Sequence, residues 1–276
     1  MIYLIIFITI LIFLVYILFE NANPMVDTYI IERDLPSSIK QLNLLHISDL
    51  HNYKFGVKQS KIKKIIKNNY DLIFITGDII DRRYIGHENA MDLIDLLNGN
   101  IFFVTGNHEK GYKDFDKLRK MMISKGVKIL DDEVISYKGI DILGINDPSE
   151  YISLNKKVKK NTRKEIDEKL SSIIKKSKND FRILLVHRPE FFDIYAKYNI
   201  NLIFSGHTHG GQVRIFNKGV FSSGQGFFGK YCGGIFTKKD SVMYNSRGLG
   251  NNFPFAKRVF NRPQIIEVII KNTNSN

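Results

Sequence analysis

Cysteine occurs once in the 276-residue chain, at Cys232, so neither an intramolecular disulfide framework nor a cysteine-based zinc site can form. Disulfide-free proteins occur in every compartment, and the count leaves the compartment open. Acidic side chains are scarce beside basic ones, 28 against 41, and the resulting +13 favours polyanions or an anionic lipid surface as neighbours. Charge is missing altogether from Met1 to Phe19, where Ile, Leu, Phe and Val fill most positions. As a helix this stretch rises about 28 Å, enough to cross the hydrocarbon of a bilayer. No Lys or Arg precedes it, no twin Arg is present, and Asn21-Ala22-Asn23 lacks the small-x-small pattern of a cleavage site. An uncleaved anchor is the reading that fits, ahead of a removed signal.

What remains reads as one globular domain. With 43% hydrophobic and 12% aromatic residues the chain can bury a sizeable core and is not disordered. We expect an anchor over 1–20, a short linker over 21–40 containing Pro24 and Pro36, and a single domain over 41–276. Apolar runs of strand length stand at Leu42–Ile47, Leu72–Thr76, Ile101–Thr105, Ile183–Val186 and Leu202–Ser205, with further strands near Val134–Tyr137 and Asp141–Ile145. Helical spacing occupies Val57–Asn68, Glu88–Leu97, Asp114–Ser124 and Thr162–Lys176. The runs lack polar alternation, which predicts a layered α/β domain with sheets covered on both faces.

Each of the five main strands hands over to a metal-ligand residue type. Ser48-Asp49-Leu50-His51 follows the first, Gly77-Asp78-Ile79-Ile80-Asp81-Arg82 the second, and Gly106-Asn107-His108-Glu109 the third. His187 follows the fourth, and Gly206-His207-Thr208-His209-Gly210-Gly211 the fifth. Open α/β sheets bind ligands at the carboxyl ends of their strands, so these groups should converge on one rim. Five of the chain's seven histidines stand there. Histidine, carboxylate and amide oxygen without thiolate suit Mn, Fe or Zn better than Mg or Ca. His46 and His87 read instead as a buried strand residue and a helix-start residue.

This ordered set resembles the calcineurin-like metallophosphoesterases over roughly residues 42 to 270. Together with the apolar N-terminus, Ser246-Arg247-Gly248-Leu249-Gly250 and Arg262-Pro263 resemble the membrane-associated bacterial branch typified by YkuE and YaeI. The chain departs from many members of that branch in having no twin-Arg signal and in placing Gln264 after Pro263. The resemblance implies a four-layer αββα sandwich of two mixed sheets, here preceded by one transmembrane helix. It implies Asp49, His51 and His209 on one divalent cation, Asn107, His187 and His207 on a second, and Asp78 shared by both. Manganese is the favoured metal, with iron or zinc as alternatives.

Two cations so close need shared anionic ligands, and a hydroxide held between them could attack phosphorus in line with the leaving oxygen. His108 would protonate that oxygen, oriented by Asp81, and Arg82 resembles a phosphate-binding arginine although a solvent-facing role competes. Glu109 reads as a brace for its loop, and Gly210 and Gly211 as a tight turn. The implied activity is hydrolysis of phosphomonoesters or phosphodiesters, with lipid-linked or sugar-nucleotide substrates among the candidates. A catalytically silent metal-binding scaffold at the membrane is the alternative. Expected partners are the phosphoester and membrane lipid, with no specific nucleic-acid binding and no obligate protein partner. The expected location is the cell membrane through a single-pass N-terminal anchor, its face open, with the resemblance slightly favouring the extracytoplasmic side. Lys156 to Lys178 carries ten basic and three acidic residues, a solvated face or one set against anionic headgroups. Phe227, Phe228, Tyr231, Phe253 and Phe255 could line an apolar approach to the site.

Overall fold

The computed structural model describes residues 1–67, 69–148, 156–251 and 257–274. Its first sheet contains β1 (Met25–Arg33), β2 (Gln41–Ile47), β3 (Leu72–Thr76), β4 (Asn100–Val104), β5 (Lys128–Ile129) and, between β1 and β2, the C-terminal strand Gln264–Asn272. The second contains β6 (Glu133–Tyr137), β7 (Ile140–Gly144), β8 (Phe181–Leu185) and β9 (Leu202–Ser205). Two small hairpins follow, β10 (Arg214–Ile215) with β11 (Lys218–Gly219) and β12 (Phe221–Ser222) with β13 (Gly226–Phe227). Then β14 (Gly234–Lys238) and β15 (Ser241–Asn245) complete the second sheet in the order β14-β15-β9-β8-β7-β6, and Gln264–Asn272 is β16.

Three apolar layers explain the stacking. In β2 and β3, Leu42, Leu44, Leu72 and Phe74 face the second sheet, meeting Ile183, Leu202 and Phe204. The alternate residues Leu45, Ile47, Ile73 and Ile75 face outward, under the helices α3 (Glu88–Leu96) and α5 (Phe115–Ser124), after α1 (Ile2–Ala22) and α2 (Ser60–Lys63). On the far side of the second sheet Leu184, Ile203 and Met243 pack under Ile166, Leu170 and Ile173 of α6 (Lys156–Ile174) and Ile194 of α7 (Phe192–Tyr195). A remaining short helix, α4 (Asn107–Lys110), belongs to the site. Helix, sheet, sheet, helix is the expected αββα order.

Two expectations need correction. The segment 21–40 contains β1, which pairs in parallel with β16 over nine residues, Met25 with Gln264 through Arg33 with Asn272. Its prolines bound that strand instead of interrupting it, and Tyr29 and Ile31 pack against the core between the sheets. Of the helix expected over Val57–Asn68, whose last residue lies outside the described residues, the described part is a turn at Val57–Gln59 and the four residues of α2. Lys58 and Gln59 adopt φ of 47° and 54°, and the buried Gln59 amide accepts from the Phe55 N–H and donates to the Tyr53 and Asn89 carbonyls. That buried side chain fixes a loop where periodicity alone suggests a helix.

α1 is long and apolar enough to cross a membrane, and its apolar window is unburied. Because β2 runs toward the site, while β16 is antiparallel to β2 and parallel to β1, the start of β1 and the end of α1 lie on the rim that receives the C-terminal ends of β2, β3 and β4.

Candidate metal centre

The loops after β2, β3, β4, β8 and β9 meet on that rim and bury Asp49, His51, Asp78, His187, His207 and His209 to 7% exposure or less. Asp49, His51, Asp78, His207 and His209 have left-handed backbone, φ between 47° and 69°. Residues other than glycine adopt this conformation rarely, and its concentration in one pocket marks a site held by its surroundings. Gly206 makes room beside them, since a Cβ there would stand 1.9 Å from Ser48 Oγ and 2.3 Å from Asp49 Oδ2. Gly210 and Gly211 make the expected turn, at φ of 60° and 78°.

Two triads emerge. Asp49, His51 and His209 form one, and Asp78, His187 and His207 the other, each with ligand atoms within 4.8 Å of one another. In the first, His51 Nε2 lies 3.0 Å from His209 Nε2, and His209 Nε2 lies 3.5 Å from Asp49 Oδ1. In the second, His207 Nδ1 lies 3.0 Å from His187 Nε2, which is 3.2 Å from Asp78 Oδ2. The same Asp78 oxygen is 3.8 Å from His51 Nε2, so one carboxylate reaches both groups. Its other oxygen accepts the His108 backbone N–H at 2.8 Å.

Backbone carbonyls select the histidine tautomers. Thr76 O, 2.8 Å from His187 Nδ1, and Gly250 O, 3.1 Å from His209 Nδ1, each accept an Nδ1–H, which leaves Nε2 of both rings facing into the pocket. Burial pushes His51 down to about 3 and holds His207 and His209 well below the usual imidazole range, so these rings are neutral ligand types. Burial opposes protonation of His187 too, but Asp78 outweighs it and raises that ring to about 10. Asp78 itself is held well below the carboxylate range by His187 and His108 against burial, whereas burial pushes Asp49 up to about 6.

Two features test whether cations fit. Asn107 Oδ1 is buried with no hydrogen-bond partner among the described residues, an orphaned acceptor in the loop expected to supply a ligand. Two pairs of imidazole nitrogens face each other at 3.0 Å, an approach that needs a proton or a cation between the lone pairs. Oxygen and nitrogen donors of this mix suit a divalent transition ion. A third grouping, His51, Asp81 and His108, also meets within 4.8 Å. Its carboxylate is engaged elsewhere, since Arg83 Nε lies 2.9 and 3.1 Å from the two Asp81 oxygens.

His108 Nδ1 is 3.1 Å from Asp81 Oδ1, and its ring is nearly perpendicular to that of His51 with centroids 4.5 Å apart. Burial opposes protonation of His108, but Asp78 and Asp81 raise it above the usual imidazole value. The backbone N–H of Arg82 points at the same Nδ1 from 3.2 Å, a bond open only to the tautomer without a proton there. The Arg82 side chain is exposed. Glu109 braces the loop as expected: its buried carboxylate accepts the N–H groups of Asp78, Ile79 and Gly106 at 2.7 to 2.8 Å.

Sequence matching finds the calcineurin-like phosphoesterase family over residues 42–211, more than half of the chain. The chain belongs to that family. As a calcineurin-like phosphoesterase it is a metal-dependent phosphoester hydrolase. It is 27% identical over 239 residues to the uncharacterized metallophosphoesterase YkoQ of Bacillus subtilis, covering 82% of each chain. It is 29% identical over 251 residues to YkuE of the same organism, covering 87% of this phosphoesterase and 82% of YkuE. A transmembrane protein with metallophosphoesterase domain from Danio rerio is 25% identical over 284 residues, 93% of this chain and 60% of that one.

Reasoning from sequence missed two buried arginines. Arg188 lies 2.6 Å from Asp147 Oδ2 and 2.9 Å from His207 Nε2. Arg258 lies 3.2 Å from His209 Nδ1 and donates to the Gly250 and Arg247 carbonyls. The position of Arg188 beside His187 was the available signal for the first; no local signal marks Arg258. Of the aromatic residues expected to line an approach, Phe227 and Phe228 are exposed. Tyr231 instead packs against Phe192 and Phe236, and Phe253 and Phe255 lie outside the described residues.

Proposed function

We propose that this phosphoesterase holds two divalent cations, manganese by preference, and hydrolyses phosphomonoesters or phosphodiesters while anchored to the cell membrane by α1. The observation that carries the reading is Asp78, one buried carboxylate within 3.8 Å of a histidine from each triad. Asp49, His51 and His209 would hold one cation, Asn107, His187 and His207 the other, and Asp78 would be shared. When bound, such ions acidify a coordinated water and offset charge on the phosphoryl oxygens.

His108 is assigned as the acid that protonates the leaving oxygen. Asp81 accepts its Nδ1–H, fixing the ring so that the proton to be given away sits on Nε2. The Asp78 and Asp81 carboxylates favour the protonated form of His108 against burial, and the Arg83 guanidinium helps keep Asp81 ionised behind it. Arg82, exposed beside this pair, is free to meet the substrate phosphate.

The test is metal analysis and turnover on the full-length protein in detergent, loaded with Mn and assayed with aryl phosphomonoesters and phosphodiesters. Two ions per chain are expected. His108→Asn should keep both while losing about 10²- to 10⁴-fold in turnover. Loss of metal in that variant would overturn its assignment as the acid, and a loaded wild-type protein inert on every ester would overturn the catalytic reading.

A further inference from the structure

α1 is clamped to the site-bearing rim and is not tethered by a loose segment. Its Asn21 side chain donates to the Arg258 carbonyl at 2.8 Å and accepts the Arg258 N–H at 3.0 Å. Lys61 Nζ binds the Ala22 carbonyl at 2.9 Å, and Arg262 Nε binds the Asn23 carbonyl at 2.6 Å with its guanidinium 5.8 Å from the Phe19 ring. Phe260 extends the contact further along the helix, with ring centroids 5.8 Å from Tyr16 and 6.2 Å from Phe13.

Those last contacts fix a depth. Glu20 is the first charged side chain after the apolar run Ile2 to Phe19, so Phe19 stands at the edge of the bilayer's hydrocarbon. Tyr16 and Phe13 then lie about 5 to 9 Å inside that edge. Phe260, packed on both and still 56% exposed, reaches the same level.

Other exposed aromatics share this rim. The β10–β11 hairpin, whose Arg214 N–H bonds the Val259 carbonyl next to Phe260, carries Phe216 at its tip with 95% exposure. Phe228 is 63% exposed, and its N–H binds the Val220 carbonyl between the two hairpins. All three phenylalanines have left-handed φ, between 48° and 52°, an unusual cost for bulky side chains turned to water. Basic side chains stand among them, including exposed Lys218, Lys230 and Lys257, complementary to anionic headgroups.

We infer that the rim bearing the metal ligands lies against the same bilayer that α1 crosses, with Phe216, Phe228 and Phe260 bedded where headgroups meet hydrocarbon. The phosphoester cleaved is then one presented in the headgroup layer of that leaflet. This inference rests on the reading of α1 as a membrane span and, for its substrate clause, on the catalytic reading above.

The chain has no tryptophan, so a single introduced one reports position cleanly. The test uses full-length protein in vesicles of phosphatidylcholine and phosphatidylglycerol, carrying Phe216→Trp, Phe228→Trp or Phe260→Trp in turn. Asp240→Trp, in the turn before β15 at the opposite edge of its sheet, is the reference. Lipids brominated near the headgroup end of their chains should quench each rim tryptophan roughly twofold or more and leave the reference unchanged. Rim tryptophans no more quenched than the reference would overturn the inference. So would rim tryptophans shielded from both bromolipid and aqueous acrylamide, which would mean that a second copy or another protein covers the rim. Hydrolysis of a soluble aryl phosphate is measured on the same vesicles. Quenching without hydrolysis counts against the catalytic reading and the substrate clause, whereas hydrolysis without quenching overturns the membrane contact alone.

Discussion

Behind each histidine triad lies a buried arginine, and the two are compensated in different ways. Arg188, next to His207, sits 2.6 Å from Asp147 and 3.5 Å from Glu190, and these carboxylates raise its proton affinity despite burial. Its Nη2 donates to Asp147 Oδ1 at 3.2 Å, while Nε lies close to Asp147 Oδ2 without the alignment of a hydrogen bond, so charge and one hydrogen bond together hold the pair. Arg258, next to His209, has no carboxylate in hydrogen-bond reach among the described residues; carbonyl dipoles receive it, and burial pushes it down to about 9. One half of the site is a closed charge cluster. The other leaves a positive charge beside its histidines and passes through Asn21 to α1. Similar donor sets can therefore be held by different supports, one inside the domain and one leading to the apolar helix α1.

Asp78 joins the halves, and breaking it should have the largest effect. Asp78→Asn is expected to lower hydrolysis by at least about 10³-fold and to strip metal from both triads together. Elemental analysis showing that a single ion is retained at full occupancy would mean that the halves are independent.

Arg188→Leu comes next, because it leaves Asp147 and Glu190 buried and unpaired. Urea unfolding should report a loss of about 3–5 kcal/mol, partly recovered when Asp147→Asn is added. Arg258→Met removes hydrogen bonds to two carbonyls without orphaning an acid, and the same measurement should give a smaller loss, about 2–3 kcal/mol. Equal losses would erase the distinction.

The smallest effect concerns a histidine of the strands that belongs to neither half. His46 is fully buried between the sheets, where its Nε2 meets Thr76 Oγ1 at 2.8 Å and Nδ1 has no partner among the described residues. Thr76 Oγ1 gives its own proton to Ser48, so His46 Nε2 must be the donor and a charge would have to reside on unpaired Nδ1. Burial accordingly lowers His46 to about 3. The unfolded chain binds the proton more readily, so this stability is present above the unfolded value near 6.5 and drains away as pH falls toward 3. From pH 7 to pH 5 it amounts to about 2 kcal/mol, and His46→Phe should flatten that part of an acid-unfolding series. An unchanged slope would mean that other groups carry it.

The strands leading to the site were legible because they are covered on both faces: Leu72–Thr76 and Leu202–Ser205 are continuous apolar runs with the observed limits. The two triads were legible because each run ends in a histidine or aspartate. β1 was not, because its exposed edge carries Asp27, Glu32 and Arg33 between prolines, the composition of a connector. Its strand character comes from β16, remote in sequence. Arg258 escaped for the same physical reason: its partners Asn21, His209 and Gly250 meet only once both ends of the chain have come together. The turn at Lys58 and Gln59 was hidden because it depends on where one glutamine amide is buried, and local hydrophobicity carries no trace of that.

The nine-residue pairing of β1 with β16 also sets an order of events during biosynthesis. β16 lies between β1 and β2, so both strands emerge from the ribosome with a bare edge and wait through roughly 230 further residues, about 10–50 s of translation. Throughout that interval the nascent polypeptide is exposed to wrong pairing along two open strand edges. Only β16, which follows every other strand of both sheets in the sequence, closes them, which makes it the keystone of the first sheet and gives quality-control proteases a long window on every copy that still lacks it.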